Sequence, residues 1–381
     1  MFSKPLLLII AGAQGAVGST VAAAIAALEK NPSTVLPWLT TARLFGRSCV
    51  HPGMRLCGWD ALVRPFEEAI TFHKVLPPGT VPLDQGSLGS MAVRQAPPPD
   101  LPLRAQVELL AADIASFRAL HPDSHPVLVN LLPACRSVDL DGCGSLDELY
   151  ARGSPAFPDL AYVLAAVSCG VPVVNFTSNA VEAPVVVEEA RKAGVPLCGR
   201  DGKTGQTYLK VVLASALKAR SLKVDGWYSL NILGNEDGRN LADPERAAGK
   251  IANKTGLLEE ILGYRVGEQY GADSHRVVID YYPPRGDSKE AWDVIDFTGL
   301  FGLPMSLRVN LQGRDSILAA PMVMDLACWM AALHAAGRSG LVPELGFFFK
   351  KPVGPDHPTT FQEQLACLER LESFCRERVA A

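Results

Sequence analysis

Four lysines are the residues in this sequence best suited to chemistry: Lys250, Lys254, Lys289 and Lys350. Lysines gathered at one site stabilise developing oxyanions and donate protons. Burial and mutual repulsion draw their pKa values toward about 7–8, where one of them can serve as a base. Lys250 and Lys254 are four residues apart and share a helix face. Lys289 closes the run Arg285-Gly-Asp-Ser-Lys289, and Asp315-Ser316 opens a long apolar stretch. Taken singly, each lysine reads as a solvated surface cation and Asp315 as an ordinary N-cap.

Two glycine-bearing turns suggest where phosphate would be held. The first is Gly12-Ala-Gln-Gly15-Ala16-Val17-Gly18-Ser19, between an apolar run and an alanine-rich segment. Glycines there allow a tight turn and let a pyrophosphate approach backbone N–H groups at a helix N-terminus. The spacing is GxxGxxG, which alone also fits a packing turn. The acid expected about 20 residues beyond such a strand is missing, since residues 35–41 hold no carboxylate. Spacing therefore leaves open NAD or its 2′-phosphate form, and Arg43 reads as a surface arginine. The second turn is Asp201-Gly-Lys203-Thr204-Gly205-Gln206-Thr207, ahead of a helical stripe; it suits either helix capping or phosphate binding. A third segment, Asn231 through Gly234, Asn235, Asp237 and Gly238 to Leu241, has the composition of a hairpin loop.

The elements that must position these residues follow from periodicity. Residues 6–10 and 127–132 are short apolar runs, and 171–176 another, separated by helical patterns such as Val107, Leu110, Ile114 and Phe117. That alternation predicts a doubly wound parallel sheet. From about residue 207 the pattern changes. A helical stripe leads into strand-like runs at 227–233, 277–282, 292–297 and 305–311, which predict a mixed or antiparallel sheet. Residues 317–336 are apolar nearly all round and predict a buried helix. Thr360 and Glu363 make a capping box for a last amphipathic helix.

Composition sets the outer limits. With 381 residues, 48% hydrophobic and 20% charged, the chain is globular, with room for more than one domain. A net charge of −4 argues against a general nucleic-acid binder. The nine cysteines form no CxxC pair and read as reduced thiols of a cytoplasmic protein. No membrane span and no tightly bound metal are expected: no apolar run approaches the roughly 20 residues of a span, and no His/Cys cluster has zinc-ligand spacing.

Together these segments resemble the myo-inositol-1-phosphate synthase family, in its short prokaryotic form. The matching stretches are GRDGKTGQTYLK (199–210), SLNILGNEDGRNLADP (229–244), the Lys250/Lys254 pair, SHRVVIDYYPPRGDSK (274–289), RDSILAAP (314–321) and FFFKKP (347–352), in the family's order. Toward the N-terminus, the glycine turn and Cys57-Gly58-Trp59-Asp60 are the recognisable points.

The resemblance implies an α/β fold. A discontinuous Rossmann-type NAD-binding domain (1–207 and 319–381) would carry an inserted α+β catalytic and tetramerisation domain (208–318), in a homotetramer. It implies conversion of glucose 6-phosphate to an inositol monophosphate with recycled NAD, within inositol and phospholipid biosynthesis. It implies Lys250 as acid/base with Asp315 as relay, and Lys289 and Lys350 holding carbonyl oxygens. Phosphate would be gripped by Lys254, Thr204, Gly205, Gln206, Thr207 and Asn235. The cofactor would be held by Gly12, Gly15, Ala16, Val17, Gly18, Asp60, Asp201, Asn231 and Asp237, with Asp60 supplying the missing ribose acid. Glu236 and Arg200 depart from the family, which has a neutral residue and an acid there. The alternatives are an NAD-dependent dehydrogenase of another sugar phosphate and a non-catalytic NAD-binding regulator.

Overall fold

The computed structural model describes residues 4–46, 53–80, 85–136, 138–140, 142–152, 157–269 and 272–379. At 85, 247–255, 268, 269, 272, 273 and 379 it gives the course of the backbone only. The chain opens with β1 (Leu6–Ala11) and α1 (Ala16–Lys30), then α2 (Thr40–Phe45), β2 (Met54–Asp60), α3 (Phe66–His73), α4 (Gln85–Gly89) and β3 (Ala92–Gln95). Next come α5 (Leu103–Leu120), β4 (His125–Asn130), α6 (Leu146–Arg152), α7 (Asp159–Ser168), β5 (Val173–Asn175), α8 (Pro184–Lys192) and β6 (Pro196–Gly199). After α9 (Gln206–Ala219) the order is β7 (Lys223–Leu233), α10 (Glu236–Leu241), α11 (Pro244–Leu262), then β8 (Glu268–Gln269) and β9 (Ala272–Asp273). The chain ends through β10 (His275–Tyr281), β11 (Ser288–Thr298), β12 (Pro304–Arg314), α12 (Asp315–Ala335), β13 (Gly340–Leu341) and α13 (Phe361–Val379).

The expected α/β fold is present. A seven-stranded sheet has the order β13-β6-β5-β4-β1-β2-β3, with every pairing parallel. Burial on both faces explains the continuous apolar run of β1. Its alternation assigns each residue a side. Leu6, Leu8 and Ile10 join the core with α1 and α12, while Leu7, Ile9 and Ala11 join the core with α5 and α7. Strand order reverses between β1 and β4, and the crevice at the carboxyl ends of strands at such a reversal is where ligands bind.

The apolar stretch 317–336 is α12, packed in that core. Contrary to the expectation that no apolar run approaches a span, it is long and apolar enough to cross a membrane, but 78% of its most apolar window is buried inside the protein. Its one buried acid, Asp325, accepts the backbone and hydroxyl donors of Thr40 and Thr41. The capping box closes as read: Glu363 N–H donates to Thr360 Oγ1 (3.3 Å) and Thr360 N–H to Glu363 Oε2 (2.9 Å).

A second sheet, β10-β7-β11-β12, is mixed: β10 runs parallel to β7, and β11 antiparallel to both β7 and β12. Residues of α9 and α11 pack on one face against Trp227, Val224 and Ile295. The chain leaves the first sheet after β6, builds the second, and returns along α12 to β13.

Residues 35–41, which hold no carboxylate, lie between the first two strands: they form a 3-10 turn at Leu36–Trp38 and enter α2, with Pro32 and Pro37 each in a 3-10 turn. The second strand therefore comes later, and its last residue is Asp60. The asparagine segment is not a hairpin loop. Asn235 is the N-cap of α10, accepting from Gly238 N–H at 3.1 Å.

Candidate active site

A cleft of about 660 Å³ opens at the carboxyl ends of the parallel strands and extends to the second sheet. The glycine turn forms one end. Gly12 has φ +83°, and a Cβ at Gly18 would lie 2.4 Å from the Ala13 carbonyl oxygen, so the turn is built around glycine at both positions. Gly12, Gly15, Ala16, Val17 and Gly18 all line the cleft. The first turn of α1 has no side-chain cap and no acid, leaving its N–H groups for an anion. Asp60, at the tip of β2, accepts Gln14 N–H through Oδ2 at 2.7 Å. The acid absent from residues 35–41 is thus beside the turn after all.

The other end is made where β6, α9, β11 and α12 meet. Lys350 is gripped twice by Asp201: its Nζ donates to Oδ1 at 2.6 Å and its N–H to the carbonyl at 2.7 Å. Asp201 is buried at φ +63°, with its N–H on the Thr177 carbonyl. Lys289, second residue of β11, meets Asp315, first residue of α12, with Nζ–Oδ2 3.1 Å. Thr204 Oγ1 donates to Asp315 Oδ1 at 3.0 Å. Neither Thr204 nor Asp315 caps its helix, since the caps are Gly205 and Arg314 and neither end has a side-chain cap bond. Burial would raise the Asp315 pKa. The charges of Lys289 and Lys350, with hydrogen bonds from Lys289 and Thr204, outweigh it and hold the group at about 2.

Of the residues expected at the site, the glycine turn, Asp201, Thr204, Asn235, Asp237, Asp315 and Lys350 line one cleft. Lys289 reaches it through Asp315, and Asp60 stands behind the glycine turn on Gln14 N–H. Gly205, Gln206 and Thr207 start α9, but the Gln206 amide points away, onto Asp293 at 2.9 Å. Asn231 is buried on β7 with both side-chain polar atoms unpartnered among the described residues. The side chains of Lys250 and Lys254 lie outside those described; their backbone belongs to α11.

The sequence reading passed over Asp287, Ser316 and the Phe72-His73-Lys74 end of α3, which also line the cleft. Asp287 Oδ1 accepts from Ser316 Oγ (2.8 Å) and Asn235 Nδ2 (3.3 Å), and burial raises its pKa. Its Oδ2 is buried without a partner among the described residues. Its signal was present, two residues before Lys289 in the same motif. The α3 end carries no local signal: His73 Nε2 reaches the Gln14 carbonyl (2.8 Å) by tertiary packing alone. The orphaned Asp287 oxygen, in the cleft that the glycine turn also lines, fits a bound polar group. Among the described residues no cluster of three His, Cys, Asp or Glu could hold a metal.

The comparisons bear out the resemblance. The sequence profile of myo-inositol-1-phosphate synthase matches residues 205–316. Inositol-3-phosphate synthase 1 of Bacteroides thetaiotaomicron is 42% identical over 198 residues, covering 51% of this chain and 46% of that one. The chain spans about half the length of the curated relatives it matches. Among solved structures, inositol-3-phosphate synthase from Caenorhabditis elegans superposes with a TM-score of 0.80 at 21% identity, covering 98% of this chain and 86% of that one. A myo-inositol-1-phosphate synthase-related protein from Thermotoga maritima gives 0.77 at 20% identity, covering 97% and 98%. At these identities the structural likeness speaks for the fold.

Proposed function

We propose that this chain, whose residues 205–316 match the profile of the myo-inositol-1-phosphate synthases, converts glucose 6-phosphate to an inositol monophosphate, in the cytoplasm and as a homotetramer. The observation that carries this reading is the Lys289–Asp315–Thr204 cluster and the Lys350–Asp201 pair, brought to the same cleft as the glycine turn.

NAD is the cofactor that fits the glycine turn and Asp60, whose carboxylate would repel a 2′-phosphate; when bound it supplies hydride acceptance and return at the substrate's fifth carbon. The protein's own residues do the rest. The N-terminus of α9, with Lys254 and Asn235, holds the substrate phosphate. Lys250 moves the proton of the fifth-carbon hydroxyl. Lys289 and Lys350 neutralise the oxygens that gain charge as the sixth carbon is deprotonated and attacks the first. Asp315, held at about 2, remains a carboxylate at working pH. It orients Lys289 and, as the resemblance implies, serves as the proton-relay partner of Lys250.

The experiment is incubation with glucose 6-phosphate and NAD, following inositol phosphate by NMR and NADH by absorbance. Product without net NADH is expected. Net NADH would turn the reading to a dehydrogenase, and neither product would leave a binding protein. Lys250→Ala should abolish turnover and leave NAD bound; persisting turnover would remove Lys250 from its role.

A further inference from the structure

The first two turns of α9 send polar side chains toward the second sheet, where apolar ones would be expected. Gln206 is buried, its Nε2 on Asp293 Oδ2 at 2.9 Å. Lys210, four residues on and also buried, has its Nζ 3.0 Å from His275 Nε2. Asp293 takes two more donors on its other oxygen, Trp227 Nε1 at 2.7 Å and Ser229 Oγ at 2.5 Å. Asp293 and Ser229 stand directly opposite in the β11–β7 register. One buried carboxylate thus collects donors from β7 and α9 while none of these groups lines the cleft.

Such a network is costly to bury, and an apolar replacement of the same shape is often no less stable. What it adds is a defined position, because each member is satisfied only in one arrangement. The segment so fixed is the turn leading into α9. There Thr204 reaches Asp315, Gly205 provides no side-chain cap, and the first N–H groups of the helix have no intrahelical acceptor.

We propose that Asp293 is a positioning residue. It turns the Gln206 amide away from the cleft and locks the first turn of α9, so that backbone N–H groups and not that amide meet the substrate phosphate. This rests on the reading that the phosphate binds at this turn.

The test is calorimetric titration of the NAD-loaded full chain with inorganic phosphate and with glucose 6-phosphate. The variants are Asp293→Asn, Gln206→Ala, their double, and Trp227→Phe, which removes one donor while leaving the Gln206 bond and so spares the fold. Asp293→Asn and Gln206→Ala should each weaken both ligands about tenfold. The double should be no worse than either single, because the two act as one unit. Trp227→Phe should weaken them about two- to threefold. If Gln206→Ala weakens phosphate while Asp293→Asn and Trp227→Phe leave it unchanged, the amide grips phosphate directly and the proposal fails. It also fails if the variants lower Tm yet bind phosphate as the parent does. A parent protein that binds neither ligand defeats the functional reading itself, before any variant is compared.

Discussion

At the scale of the residue, the cleft works through pairs. Asp315 is opposed by Lys289 at 3.1 Å, with the Lys350 charge also acting on it, and Lys350 itself is tied to Asp201. Asp315→Asn keeps the shape and the Thr204 acceptor but removes the charge that holds Lys289. We expect kcat to fall at least ~100-fold with KM changed only a few-fold, since the interaction matters where oxyanion charge develops. Steady-state assay of inositol phosphate formation checks this; a kcat within fivefold of the parent would free Asp315 of any such role. Lys289, Lys350 and Asp315 were legible only through the stretches that resemble the family, since each taken singly reads as a surface cation or an N-cap. Asp287 was in plain view in the same run, but nothing local says that a carboxylate there is buried and half-satisfied. Gln206 stood in a motif of the resemblance, but nothing local says where its amide points. The residue that turns it, Asp293, lies 87 positions away.

Elements set the geometry of those pairs, and one cluster ties two of them together. Glu260, near the end of α11, receives Lys351 Nζ at 3.0 Å and lies 3.2 Å from His357 Nε2. It joins the helix bearing Lys250 and Lys254 to the segment following Lys350. The His357 hydrogen bond is the largest influence on Glu260, and with Lys351 it outweighs burial and draws the pKa to about 2. The same bond raises that of His357 above 6.5. A raised histidine contributes stability fully below pH 6.5, lost as pH rises through its folded pKa. A depressed glutamate contributes above pH 4.5, lost as pH falls toward 2. The clamp is therefore complete between pH 4.5 and 6.5. His357→Gln should cost about 1 kcal/mol there, since the groups are partly exposed, with the gap closing on the alkaline side. Thermal unfolding at pH 5.5 and 8.5 measures it, and an equal gap at both values would rule the clamp out. Most elements were legible from period alone: the parallel strands by their continuous apolar runs, α12 by its all-round apolarity, α13 by its capping box. The acid sought about 20 residues beyond β1 is absent because two short 3-10 turns and α2 intervene before β2, whose last residue is Asp60.

At the scale of the whole molecule, the second sheet has one face packed and one bare. α9 and α11 cover the side bearing Trp227 and Ile295. On the other side Trp292, opposite Leu230, is 48% exposed and Tyr228, opposite Val294, is 40% exposed. Arg308 and Asn310 of β12 stand beside them in register, giving that face an apolar centre and a polar margin. A monomer gains nothing by leaving a tryptophan and a tyrosine on an open sheet, whereas an interface with a polar rim is built this way. The proposed tetramer would close it. The consequence reaches the site, because Lys289 is the second residue of β11 and β12 runs directly into Asp315. Whatever braces this sheet also braces that ion pair. Trp292→Asp places a charge at the centre of the bare face and touches no residue of the cleft. Sedimentation should show the parent as a tetramer and the variant as smaller species, with kcat lowered about tenfold and NAD affinity retained at the glycine turn. A parent protein that sediments as a monomer, or a variant that dissociates without losing turnover, would separate assembly from catalysis.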